Sequence, residues 1–176
     1  IGVAAKYYVW DIETVTVDDN HVPIYIYARN LYNAAENYEF YGMDEFCRKV
    51  ISDDFKETTW IAHNSGGFDS NFVHAWLEDH GVMHTRIPSP MSLHRSLETN
   101  VDHFKIRFID SFSFLPMGLA KIGPAFNLPV SKGDFPHKFS SFEHMSYSGC
   151  MPPCDSEEDW YDLSNMRASK IGRAHV

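Results

Sequence analysis

Apolar and polar positions change period several times along the chain, and each change marks an element. Tyr7 to Glu13 (Tyr-Tyr-Val-Trp-Asp-Ile-Glu) is an aromatic and β-branched run that predicts a strand. Pro23 to Arg29 predicts a second strand and Tyr38 to Gly42 a short third, with polar turns at Asp18-Asp19-Asn20 and from Asn33 to Asn37. From Asp44 to Phe55 the period becomes helical, with Phe46, Val50 and Ile51 on one face and Asp44 placed as the cap. Thr58 to His63 is apolar enough for a strand in the middle of a sheet. Asp69 to His80, carrying Phe72, Val73, Trp76 and Leu77, predicts a helix that Gly81 ends.

A second β region follows. Met91 to Leu97 and His103 to Ile109 predict a hairpin whose turn is Glu98 to Asp102. Leu115 to Phe126 predicts a short helix with Pro116 in its first turn and Pro124 limiting its length. Beyond Pro129 the chain reads as loop until a helical start near Glu157. Three meandering strands, a helix, a buried strand, another helix and more β structure describe an α/β fold: a ribonuclease-H-like mixed sheet flanked by helices. The element order alone leaves a flavodoxin-like sheet open, although that fold does not begin with a meander.

With 176 residues, 44% of them hydrophobic, the chain is long and apolar enough for one core. Three cysteines, Cys47, Cys150 and Cys154, are too few for a disulfide framework and fit a reducing, intracellular compartment. No apolar run reaches bilayer length, so no membrane partner is expected, and nothing points to a homo-oligomer. The chain opens at Ile1 rather than Met, as expected of part of a longer protein. The net charge of -9 speaks against a broad phosphate-binding surface. Its distribution changes that reading: residues 1–80 hold 5 basic and 14 acidic side chains, whereas residues 101–140 hold 5 and 3. An acidic half that binds cations is compatible with a single-stranded nucleic acid, because the cations offset the carboxylates and stacking supplies part of the affinity.

The acidic half contains the candidate chemistry. Asp11 and Glu13, two apart in a strand, project from one face. Asp69 opens the helix after the buried strand, preceded by Asn64-Ser65-Gly66-Gly67-Phe68. Hydrolysis of a phosphodiester by two metal ions needs carboxylates converging from separate elements, and these three come from two. Asn64 offers an amide, Phe68 or Phe72 a ring to stack on, and Gly66-Gly67 a backbone that sugar or phosphate can approach closely. Each motif alone has an ordinary reading: an exposed strand end for Asp11 and Glu13, a capped helix after a glycine turn for Asp69. Together, in this order and on these elements, they favour the site.

The same residues carry a resemblance. Asp11-Ile12-Glu13-Thr14 resembles the first exonuclease motif of family B DNA polymerases, and the run from His63 to Phe72 (His-Asn-Ser-Gly-Gly-Phe-Asp-Ser-Asn-Phe) resembles the second. Ile109 to Pro116 and Lys132 to His137 resemble segments of the protein-primed branch, found in bacteriophages, adenoviruses, organellar plasmids and Maverick-type transposons. The likeness covers most of residues 7–163. It implies that Asp11, Glu13 and Asp69 ligate Mg²⁺ or Mn²⁺ in a two-metal DEDD-type exonuclease site. It implies further that His63, Asn64, Phe68 and Phe72 contact the 3′ end of a single strand, that Ser111 lies in a strand-binding motif, and that Lys132 assists the hydrolysis. Phe112 stands where the family usually has leucine. The partners implied are a single-stranded DNA 3′ end, primer-template DNA and a terminal protein primer. Asp110 has no counterpart in the pattern and reads as a structural carboxylate at a strand end.

The family's third motif, Tyr-x₃-Asp, does not follow: Tyr161 has Asn165 four positions on. Residues 1–169 are therefore expected to be a partial 3′–5′ proofreading exonuclease domain of a DNA-directed DNA polymerase, inactive alone, with the polymerase palm absent. Residues 170–176 (Lys-Ile-Gly-Arg-Ala-His-Val) back-translate to AAGATCGGAAGAGCACACGTC, the start of a sequencing adapter preceded by one base, and are expected to be a non-native tail. Cys150 and Cys154, with His137 and His144 upstream, form no second close pair and predict no zinc site. His84, His94 and His103 lie outside recognisable ligand spacing and are expected on the surface. The rival readings are a free-standing DEDD-type exonuclease and a degenerate nucleic-acid-binding remnant of a mobile element.

Overall fold

The computed structural model describes residues 6–90, 92–101 and 104–129, together with residues 139, 141–144, 147 and 160. Seven strands form one mixed sheet: β1 (Lys6–Val17), β2 (Asn20–Asn30), β3 (Asn37–Phe40), β4 (Thr58–Ala62), β5 (His84–Ser89), β6 (Ser92–Val101) and β7 (Phe104–Asp110). Their spatial order is β3-β2-β1-β4-β7-β6-β5. β4 runs parallel to both β1 and β7, whereas β2 with β3, β5 with β6, and β6 with β7 are antiparallel. This is the mixed sheet that the meander and the buried strand predicted. A flavodoxin-like sheet, parallel throughout its centre, is not what forms.

Two compact units divide the chain, one of residues 1–13 and 23–118, the other of residues 14–22 and 119–176. In the first, alternation along β1 sends Tyr8, Trp10 and Ile12 into the core and leaves Val9 and Asp11 exposed. β4 is the central strand, and Trp60 on it is fully buried. Its indole stacks on Tyr8 with ring centres 4.6 Å apart and meets Phe46 and Phe55 edge-on. In the second unit, Asp18 and Asp19 take positive φ (49° and 61°), the twist that a two-residue hairpin turn requires. Helix α3 (Leu119–Ala125) is shorter than the run from Leu115 to Phe126, with Pro124 inside its last turn. Phe139 and His144 stack with ring centres 4.0 Å apart.

Three other boundaries depart from the sequence reading. Helix α1 (Met43–Val50) starts from Gly42 at φ 111°, not from an Asp44 cap. The Asp44 carboxylate instead accepts from Arg48 Nε (2.7 Å) and Trp76 Nε1 (3.1 Å), and the helix stops before a separate 3₁₀ turn at Asp53–Phe55. Glu98, Thr99 and Asn100 belong to β6 rather than to a turn. Thr99 is fully buried, with its hydroxyl accepting from the Ile106 N–H, and Glu98 is held by Lys105 and Arg107, so these polar residues are satisfied within the sheet. Strand β5 escaped prediction because it is an edge strand, exposed along most of its length, with a register shift between Ile87 and Ser89 around Pro88. The helical start near Glu157, the 170–176 tail, Lys132, His103, His137, Cys150 and Cys154 lie outside the described residues.

Candidate active site

β1, β4 and β7 are mutually parallel, so their carboxyl ends share one edge, the place where open α/β sheets bind ligands. β1 and β4 are paired only as far as Val9↔Ile61. Beyond that point the Ile12 N–H faces the carboxylate of Asp69 and favours its charged form. Asp69 is the first residue of α2 (Asp69–Asp79), and the cap is Phe68, which makes no side-chain capping bond. The ordinary reading of Asp69 as a helix cap therefore does not hold: its carboxylate is turned to β1. It is 6% exposed. Burial, then the charge of Asp11 and that of Asp110, push its pKa up from 3.8 to about 6, against the pull of the Ile12 and Asp69 N–H groups. Asp11 itself is exposed and Glu13 half-buried.

The loop from β4 to α2 places the remaining residues. Asn64 is exposed and left-handed (φ 62°), a conformation its short amide tolerates, and its carbonyl accepts from the Gly67 N–H. A Cβ at Gly67 would lie 3.5 Å from Asn64 Oδ1, so the amide lies over the glycine. Phe68 and Phe72, one helical turn apart and both half-buried, meet edge-to-face at 5.2 Å. His63 Nε2–H donates to the Met117 carbonyl (2.8 Å), an atom that can only accept. In the neutral ring this leaves Nδ1 to accept from the Ser111 hydroxyl at 3.0 Å. Both His63 nitrogens are thus spent on tying residues 111–117 to the end of β4, which sets Ser111 beside His63.

Asp110, at the end of β7, is 2% exposed and accepts from the Gly66 N–H (3.0 Å) and the Phe112 N–H (2.9 Å). It is the structural carboxylate the sequence suggested, fastening the glycine loop to the sheet. Asp110→Ala is expected to cost about 2 kcal/mol in urea unfolding by stranding two N–H groups, partly offset by the loss of a negative charge near Asp69. An unchanged midpoint would mean that water replaces both bonds.

One cluster was missed. His94 is not on the surface: it is 3% exposed, and burial pushes its pKa down to about 4. It packs against His74 of α2 (ring centres 4.8 Å apart), which in turn meets His84 of β5 at 5.1 Å, with Glu78 completing the group. The signal was in the sequence, as His74-x₃-Glu78 at helical i,i+4 spacing followed six residues later by His84.

The sheet agrees with solved structures, and the sequence with a family of polymerases. The family described as DNA polymerase type B, organellar and viral, matches residues 52–169. A probable DNA polymerase of Podospora anserina is 23% identical over a match that covers 66% of this chain and 13% of that protein. Among solved structures, Phi29 DNA polymerase in an orthorhombic crystal form superposes with a TM-score of 0.65 at 23% identity, covering 76% of this chain and 25% of that one. Phi29 DNA polymerase complexed with single-stranded DNA gives 0.63 at 23% identity over 74% and 25%. These likenesses carry the fold, a ribonuclease-H-like mixed sheet, and the chain spans only a small part of either polymerase. The family match extends over well more than half of the 176 residues, and the chain belongs to the organellar and viral type B DNA polymerases.

Proposed function

We propose that this chain supplies most of the 3′–5′ proofreading exonuclease site of a protein-primed, DNA-directed DNA polymerase. The observation that carries the reading is Asp69: a buried carboxylate brought against β1, with its pKa raised in part by Asp11. A buried carboxylate beside a second negative charge is costly without a cation, and an all-oxygen donor set suits Mg²⁺ or Mn²⁺. Asp11, Glu13 and Asp69 would hold the metal, which when bound activates a water and stabilises charge on the attacked phosphodiester. The chain's own groups do the positioning. Exposed Gly67 admits a sugar-phosphate, Asn64 presents its amide above it, and Phe68 with Phe72 offer ring surface to a terminal base. Ser111 is set beside the strand's path by His63, and Lys132 is assigned to assist hydrolysis by the resemblance of its segment.

Mn²⁺ titration followed by the resonance of the free ion tests the reading. Asp11→Asn and Asp69→Asn are each expected to weaken Mn²⁺ binding at least about tenfold and to reduce binding of a single-stranded oligonucleotide with a free 3′ hydroxyl. Affinities for metal and DNA that do not respond to either change would refute it. Since no Tyr-x₃-Asp follows Ser111, the 176-residue chain is expected to degrade a fluorescent single strand in Mg²⁺ little or not at all. Full, Asp11-dependent degradation would show that the three carboxylates suffice.

A further inference from the structure

We propose that His74, Glu78 and His84 form a second metal site, selective for Zn²⁺, that pins the end of α2 to strand β5. His74 and Glu78 lie one turn apart on the same face of α2, and the chain turns back at Gly81 (φ 62°) to bring His84 alongside. His84 Nδ1–H donates to the Val82 carbonyl at 2.8 Å. That bond fixes the tautomer and turns the other nitrogen, Nε2, toward the carboxylate, the arrangement that orients metal-binding imidazoles. Nε2 of His84 stands 3.2 Å from Glu78 Oε1, and Nε2 of His74 stands 3.7 Å from the same oxygen. A lone-pair nitrogen and a carboxylate oxygen repel at such a distance unless a cation, proton or metal, lies between them.

The three donor atoms all fall within 4.8 Å of one another. Ligands at Zn²⁺ distances and tetrahedral angles are separated by about 3.4 Å, so the two contacts to Glu78 are already near the required spacing. The remaining gap, between the two imidazole nitrogens, is closed by a turn of the His74 ring, which is 25% exposed. The buried His94 ring backs the site against β6. Two imidazoles and one carboxylate suit Zn²⁺ over Mg²⁺, the reverse of the all-oxygen set formed by Asp11, Glu13 and Asp69.

Calorimetric titration of the 176-residue chain with Zn²⁺, in a Cys150→Ser and Cys154→Ser background that removes competing thiols, tests the site. One equivalent is expected to bind in the presence of excess Mg²⁺, and equally well after Asp11→Asn with Asp69→Asn. His84→Gln and Glu78→Gln should each weaken it at least about tenfold. Glu78 is exposed, so its variant folds whatever becomes of His84→Gln, and Co²⁺ substitution should give tetrahedral absorption bands that Glu78→Gln abolishes. Absence of Zn²⁺ binding, affinity indifferent to Glu78→Gln, or binding lost with Asp11 and Asp69 would overturn the proposal.

Discussion

Trp60→Ala is expected to lower the free energy of unfolding by about 4 kcal/mol, a large share of the roughly 5–15 kcal/mol available to a domain. The indole is fully buried on the central strand and touches rings from β1, α1, the 3₁₀ turn at Asp53–Phe55 and β7. Its Nε1–H donates to the Thr58 hydroxyl at 2.9 Å. Truncation removes the ring that all four neighbours share, and flat aromatic walls cannot collapse to fill the gap, so the transfer loss and the cavity add. Trp60→Phe keeps a ring and gives up the hydrogen bond and part of the volume, and should cost less than half as much. Urea unfolding followed by far-ultraviolet circular dichroism measures both. Equal, small effects of the two changes would show that the aromatic cluster does not hold the sheet together.

The contrast between Trp60 and Arg86 explains what was legible in the sequence. Trp60 lies in a short apolar run, and such runs become central strands because only a sheet interior buries both of their faces. Arg86 lies in His-Thr-Arg-Ile-Pro-Ser, which has no apolar face to bury and is a strand only because β6 offers it an edge. Glu98 and Thr99 misled for a related reason: polar residues suggest a turn, yet here their partners come from β7. The site divides in the same way. Asp11, Glu13 and Asp69 were visible as motifs because their order and spacing are local. The i,i+4 spacing of His74 and Glu78 was legible too, but that Asp69 turns to β1 instead of capping α2, and that His94 of β6 packs against His74, depends on packing between elements, which spacing along the chain does not encode.

Replacement of Asp69 by asparagine is expected to stabilise the chain at neutral pH, by up to about 3 kcal/mol in the absence of divalent metal. The folded-state pKa of about 6 lies above the ordinary 3.8, so the folded chain holds this proton more tightly than the unfolded one. Stability associated with the group is therefore complete below about pH 4, falls as pH rises toward 6, and is lost above it, where the buried carboxylate must carry its charge. Asparagine removes that charge and keeps a carbonyl oxygen to face the Ile12 N–H. The two chains should accordingly melt together near pH 4 and separate progressively to pH 7.5, with the asparagine form the more stable. Mg²⁺ or Mn²⁺ should close the gap by stabilising only the aspartate form, because a cation that binds the folded chain draws the equilibrium toward it. Thermal melts at four pH values, with and without metal, give the comparison. An asparagine variant that is less stable at pH 7.5, or equally displaced at every pH, would mean that Asp69 is a structural hydrogen-bonding group. The expected outcome would instead mark it as a charge kept at a cost to folding, as a metal ligand must be.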